Sequence, residues 1–250
     1  MRSARFIAIV ALVCALFGSA APASAVSKHL VFFLVRHGQS EDNAAGVQSG
    51  WSPAALTSRG QSQATALGVA LAGLNLKAVY VSDLPRAIET ESLMHAAFRA
   101  TVTASQDARF REWGVGSFDR QPGSVIAAAE ARVLTTTVAK VYLMPDAKRM
   151  DALAKADPTH ATETYAVFKK RILAGINSAV SANSSGVVMI VAHGYVIKHL
   201  LGNLVPTKYA GQGIANCSVT VLDYLNGVWT LKQLPTTTPK LPNSYLLPVG

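Results

Sequence analysis

The chain is poor in cysteine and in charge, and both shortages exclude functions. It has two cysteines in 250 residues, and Cys14 lies in an apolar N-terminal stretch. If that stretch is removed, Cys217 stands alone, so no internal disulfide and no cysteine-built zinc knuckle can form. Asn216-Cys217-Ser218 opens a strand-like run, which makes a buried, inert thiol the expected state. Only 15% of residues are charged against 50% hydrophobic, a balance that rules out wholesale disorder. The basic residues do not cluster apart from Lys169-Lys170-Arg171, and no aromatic-rich basic stripe joins them. No nucleic-acid partner is therefore expected.

Long apolar runs are also scarce. The first 25 residues read as an export signal: Arg2 and Arg5, then Phe6 to Phe17, then Ala23-Ser24-Ala25. The 12-residue apolar run falls short of the roughly 20 residues of a spanning helix. Cleavage after Ala25 removes two arginines and no acid, so the net charge falls from +9 to +7. A secreted or periplasmic protein, without stable membrane insertion once the signal is cut, is the expectation; a retained anchor is the alternative. A basic surface suits anionic substrates.

What remains reads as one α/β domain over 26–234, followed by a Pro/Thr-rich tail over 235–250 that is extended or mobile. Leu30 to Val35 is an unbroken apolar run, long enough for a buried strand. Thr57 is placed to cap a helix over Arg59–Leu74. Ala78–Val81 reads as a second strand and Pro85–Phe98 as a second helix, with proline at a favoured first position. Thr101–Thr103 reads as a weak third strand. Residues 121–183 are helical in character with breaks near Pro145 and Pro158. Val187–Ala192 reads as a strong buried strand and Tyr195–Leu204 as a helix. Asn226-Gly227 signals a hairpin between Val219–Tyr224 and Val228–Leu234. Alternating strands and helices predict a three-layer α/β/α sandwich with a mostly parallel sheet.

Two strands end alike, in Val35-Arg36-His37-Gly38 and Val191-Ala192-His193-Gly194. In a parallel sheet both ends share the carboxyl edge, where open α/β folds bind ligands. Arginine offers a planar fork of donors for phosphate oxygens, and an unprotonated imidazole nitrogen can attack phosphorus.

Arg36-His37-Gly38-Gln39-Ser40, with Asn43 close behind, resembles the signature of the histidine phosphatase superfamily, which includes the phosphoglycerate mutases and many acid phosphatases. Further matches follow in order: Leu56-Thr57, Gly60, Gln63 and Ala64; Ser82-Asp83-Leu84, Arg86-Ala87 and Thr90; Glu112, Gly116, Phe118 and Asp119; His193-Gly194. The resemblance implies a phosphoglycerate mutase-like fold and a double-displacement phosphoryl transfer. His37 is then the nucleophile, Glu112 the proton donor and His193 the third catalytic residue. Arg36, Asn43 and Arg86 hold the phosphate of a small-molecule or macromolecular phosphomonoester. No metal and no cofactor is expected, because side chains supply the positive charge. Asp119 is the alternative acid, and Asp83 is expected to cap the second helix. His29, His95 and His160 are expected to be ordinary surface or packing histidines. The simpler alternatives are a surface ion pair of Arg86 with Glu89 or Glu91, and of Glu112 with Arg109 or Arg111. Two departures from the family pattern stand out: Arg120 occupies a usual glycine position, and the Gln48-Ser49-Gly50 region is one residue longer.

Overall fold

A computed structural model describes residues 27–98 and 101–246; the export-signal stretch lies outside the described residues. The apolar run becomes β1 (His29–Arg36), the central strand of the molecule. It reads as continuous rather than alternating because both its faces are covered, as is usual for parallel strands. Leu30, Phe32 and Leu34 point into one core, and Val31, Phe33 and Val35 into another.

The second core is closed by α2 (Ser58–Leu71) and α3 (Pro85–His95), which contribute Leu67, Leu71, Ala87 and Met94. The first is closed by α7 (Tyr165–Ala182) and α8 (Gly194–Leu204), with α4 (Gly123–Val133) and α6 (Asp146–Ala156) beyond them. A single turn, α5 (Val138–Val141), joins α4 to α6. The remaining strands are β2 (Leu76–Val81), β3 (Ala104–Gln106), β4 (Ser185–Ala192), β5 (Val219–Leu225) and β6 (Val228–Thr236). Their order is β3-β2-β4-β1-β5-β6. The first four run parallel, and the terminal hairpin adds two antiparallel strands. The three-layer α/β/α architecture read from the sequence is what forms.

Three local readings change, and the break read near Pro158 holds and gains a cause. The Gln39–Pro53 segment is not wholly loop: Ser40 and Asn43 form a reciprocal capping box that starts α1 (Glu41–Ala45). The third strand sits three residues later than Thr101–Thr103, because its pairing with Val79–Val81, not β-branched propensity, selects Ala104–Gln106. The helical stretch breaks at Asp157, whose buried carboxylate accepts from Ser117, Thr159 and Thr162. Burial opposes its ionisation, yet these hydrogen bonds hold it well below the usual carboxylate range. The tail is docked: β6 extends to Thr236, Asn75 donates to the Tyr245 carbonyl at 2.8 Å, and the Tyr245 ring packs edge-on against Phe33. Among the described residues no helix is long and apolar enough to cross a membrane.

Two glycines seat the loop after β1 on α2. A β-carbon on Gly38 would lie 2.5 Å from the Gly60 carbonyl oxygen, and one on Gly60 would lie 2.1 Å from that of Gln39. Backbone meets backbone here, so no flexible side chain can give way. Gly60→Ala should cost about 1–3 kcal/mol of stability, or about 2–4 °C of Tm per kcal/mol for a chain of this size. An unchanged melting curve would refute this account of the contact.

Candidate active site

Register brings the two histidines together. β1 and β4 pair Arg36 with Ala192, so the next residue on each strand is a histidine. The two rings lie with centroids 5.0 Å apart, and both are buried. His37 Nδ1 is 2.7 Å from the Gly38 carbonyl oxygen, which cannot donate. The proton therefore sits on Nδ1, and Nε2 keeps its lone pair. His193 Nε2 meets the Ser82 hydroxyl at 2.8 Å, and its buried Nδ1 has no protein partner. Burial first, then the charges of Arg86 and Arg36, hold both imidazoles well below their ordinary pKa.

The arginines are held by carbonyl oxygens rather than carboxylates. Arg86 is fully buried and donates from Nη2 to Gly50 at 2.8 Å and from Nη1 to Ser52 at 3.1 Å. It makes no surface pair with Glu89 or Glu91. Arg36 donates from Nη1 to the Ile214 carbonyl. The Nε atoms of both are buried donors without a protein partner. Asp119 clamps the loop that holds Arg86: its two oxygens accept the Gly50 and Ser52 N–H groups, each at 2.8 Å. Arg120, beside it, has φ of 62°, in the left-handed region. That conformation explains why a glycine is usual there. In this chain the arginine side chain instead pairs with Asp42 at 3.0 Å.

Glu112 is buried opposite. Its Oε1 accepts from Trp113 N at 2.9 Å and its Oε2 from Tyr195 N at 3.2 Å, at the start of α8. Burial pushes its carboxyl pKa up, against these bonds and the nearby Arg86 and Arg36. The neighbouring arginines do not neutralise it. Arg111 pairs bidentately with Asp83, and Arg109 with Asp107. Asp83 therefore does not cap α3, whose N-cap is Leu84. Of the Lys169-Lys170-Arg171 triplet, Arg171 turns inward, pairing with Glu163 and donating to the Glu112 carbonyl.

A cavity of about 320 Å³ opens here, lined by Arg36, His37, Asn43 and Glu112, with Tyr195 and Lys198 beyond. Arg86 and His193 do not line it. They are buried around His37, close enough for the Arg86 charge to act on both imidazoles and on Glu112. A larger groove of about 590 Å³ beyond Arg36 contains neither histidine. Of the other histidines, His29 pairs with Asp223 and His95 with Glu91.

Sequence reading missed Asn216. Its Nδ2 lies 3.0 Å from the His37 carbonyl, 3.2 Å from that of Gly38 and 3.0 Å from Asn43 Oδ1. It fixes the backbone that aims His37 and the side chain of Asn43. No local signal marks it, because it acts across 179 residues. Cys217 beside it is buried, and burial pushes its thiol up to about 12 despite Arg36.

The depressed imidazoles carry a pH signature. The unfolded chain binds protons at both rings as pH falls through about 6.5, whereas the folded chain does not. Stability contributed above that pH is therefore lost as pH falls toward the folded pKa values, at up to about 1.4 kcal/mol per pH unit for each ring. Denaturation between pH 7 and 5 should show this slope, and His193→Asn should flatten it. An identical slope in the variant would contradict the assignment.

Comparison with known proteins agrees with this geometry. The model of the histidine phosphatase superfamily, branch 1, matches residues 32–237. A probable phosphoglycerate mutase, GpmB, of Proteus mirabilis is 26% identical over 203 residues, covering 80% of this chain and 87% of the relative. The crystal structure of a phosphoglycerate mutase from Bacillus anthracis superposes with a TM-score of 0.78 at 26% identity, covering 84% of this chain and 94% of that one. A mycobacterial glucosyl-3-phosphoglycerate phosphatase shares the fold, with a TM-score of 0.62 at 23% identity over 83% of this chain and 98% of its own. The chain belongs to the histidine phosphatase superfamily, branch 1.

Proposed function

We propose that the protein is an exported phosphomonoesterase that works through a phosphohistidine on His37. The observation that carries this reading is the pairing of a bare His37 Nε2 with a carboxyl of raised pKa, Glu112, on the walls of one cavity. Nε2 attacks phosphorus while the P–O bond to the alcohol breaks. Glu112 gives its proton to the departing oxygen. Its carboxylate then takes a proton from water, the water oxygen attacks phosphorus, and the N–P bond breaks to release phosphate. Arg36 and Asn43 reach the non-bridging oxygens from the cavity wall, Arg86 and His193 back the nucleophile from behind, and the fixed positive charge of the two guanidiniums lowers the barrier.

The N-terminal stretch supports hydrolysis over mutase chemistry. A mutase needs a phosphorylated primer to recharge its histidine, and such compounds are intracellular. The names of the relatives support both activities, so a phosphoglycerate mutase remains the second reading. A non-catalytic binder of phosphorylated ligands is the third; it would need neither a free Nε2 nor a protonated Glu112.

Phosphate release from a panel of phosphomonoesters tests the first reading. His37→Ala should abolish turnover. Glu112→Gln should lose about 10²–10⁴-fold on alkyl phosphates but far less on p-nitrophenyl phosphate, whose leaving group needs no proton. With the wild type, activity on alkyl phosphates should fall as pH rises through the raised pKa of Glu112. Conversion of 3-phosphoglycerate to 2-phosphoglycerate without net phosphate release would favour the mutase, and retained ligand affinity with no wild-type turnover would favour the binder.

A further inference from the structure

The catalytic cavity does not end at Lys198. A second chamber of about 300 Å³ adjoins it, and Lys198 and Gly211 line both. Tyr165, Tyr209, Asp146 and Gly202 are among the residues that line the second chamber. Along α8, Gly194 opens the first cavity and Gly202 borders the second. At 1.5 Å per residue, the two together are about 12 Å long.

The chemistry of the junction is specific. Lys198 Nζ and His199 Nε2 lie 2.5 Å and 3.2 Å from the same oxygen of Asp146, Oδ2. The His199 ring is fixed by stacking on Tyr195 at 5.7 Å and by an edge contact with Tyr165 at 5.4 Å. Asp146 Oδ1 has no ion-pair partner among the described residues, so it can accept from a bound N–H. The ion pair cancels the charge of Lys198, which removes any strong preference for a second anionic group such as the carboxylate of a short acid.

Resting on the phosphatase reading above, we infer that this second chamber receives the alcohol portion of the substrate, and that this portion is nucleoside-like. A pentose-sized linker spans the Lys198 junction, where the ammonium meets its oxygens. A flat ring lies between the phenol walls of Tyr165 and Tyr209. N–H donors on that ring reach Asp146 Oδ1. A site built to pair such donors discriminates against analogues that lack them, because its own polar group is left unpaired.

Gly202 offers a direct test. A β-carbon there meets nothing within 4 Å, and the residue sits inside a helix, so Gly202→Leu fills the chamber while favouring the helix. The readout is the ratio of kcat/KM for adenosine 5′-phosphate to that for ribose 5-phosphate. The wild type should prefer the adenosine ester by about tenfold or more, the scale of one buried polar contact. Gly202→Leu, and independently Asp146→Ala, should bring the ratio close to one. A wild-type ratio near one, or a ratio unmoved by either substitution, overturns the inference while leaving the phosphatase reading intact. If p-nitrophenyl phosphate is hydrolysed but neither ester is, the inference alone is overturned; if none of the three is hydrolysed, the phosphatase reading fails. Calorimetry of adenosine 5′-phosphate in the His37→Ala background then decides the chamber: Gly202→Leu should weaken binding about tenfold, and equal affinity overturns it.

Discussion

Two guanidiniums buried without a carboxylate in direct contact are the constraint from which the site follows. Arg86 is fully enclosed, yet only carbonyl oxygens hold it, and its Nε has no partner. Arg36 is only half-buried on the cavity wall, but it too has a carbonyl as its partner and an Nε without one. Taking such charges from water is costly unless an anion completes them. Glu112 is the nearest acid, and burial favours its neutral form. The neighbouring acids are committed elsewhere: Asp83 to Arg111, Glu163 to Arg171, Asp119 to the backbone of the 50–52 loop. The fold thus keeps a local excess of positive charge that a phosphate dianion would neutralise. Burial first, and this field after it, hold both imidazoles well below their ordinary pKa, which favours the neutral ring a nucleophile requires.

Geometry is set by strand pairing before any side chain acts. The β1–β4 register puts the histidines side by side, and α8 begins at once beyond the second of them. Its first turn delivers the Tyr195 N–H to Glu112 and its second turn delivers Lys198 to the substrate side of the cavity. The loop after β1 is seated by the Gly38–Gly60 contact and tied by Asn216. The nucleophile therefore rides on the end of the central strand, and the acid, on the loop after Arg111, is pinned by the Trp113 and Tyr195 amides.

Much of this was readable in the chain. Apolar runs with no alternation marked β1 and β4, and the Arg-His-Gly and His-Gly endings marked the sheet edge. The first-helix and arginine motifs fell where α2 and α3 form. What escaped was non-local. Asp119 looked like a spare acid, because nothing nearby shows that both its oxygens are taken by Gly50 and Ser52. Asp83 looked like a cap, because its partner Arg111 is 28 residues away. The tail looked loose from its prolines and threonines, yet Tyr245 finds Phe33 and Asn75. Arg120 departs from the family glycine without breaking the turn, since the loop backbone on either side imposes the left-handed conformation and Asp42 takes the charge.

Cys217 gives the molecule an unintended gauge. Its amide lies 3.1 Å and 3.2 Å from the carbonyls of Arg36 and His37, and the buried residue sits at the floor of the groove between Arg36 and α2. Burial pushes its pKa up to about 12, so little reactive thiolate forms while those two contacts hold. Faster covalent tagging of that sulfur therefore reports loosening of the peptide that carries the nucleophile, read at the catalytic edge itself.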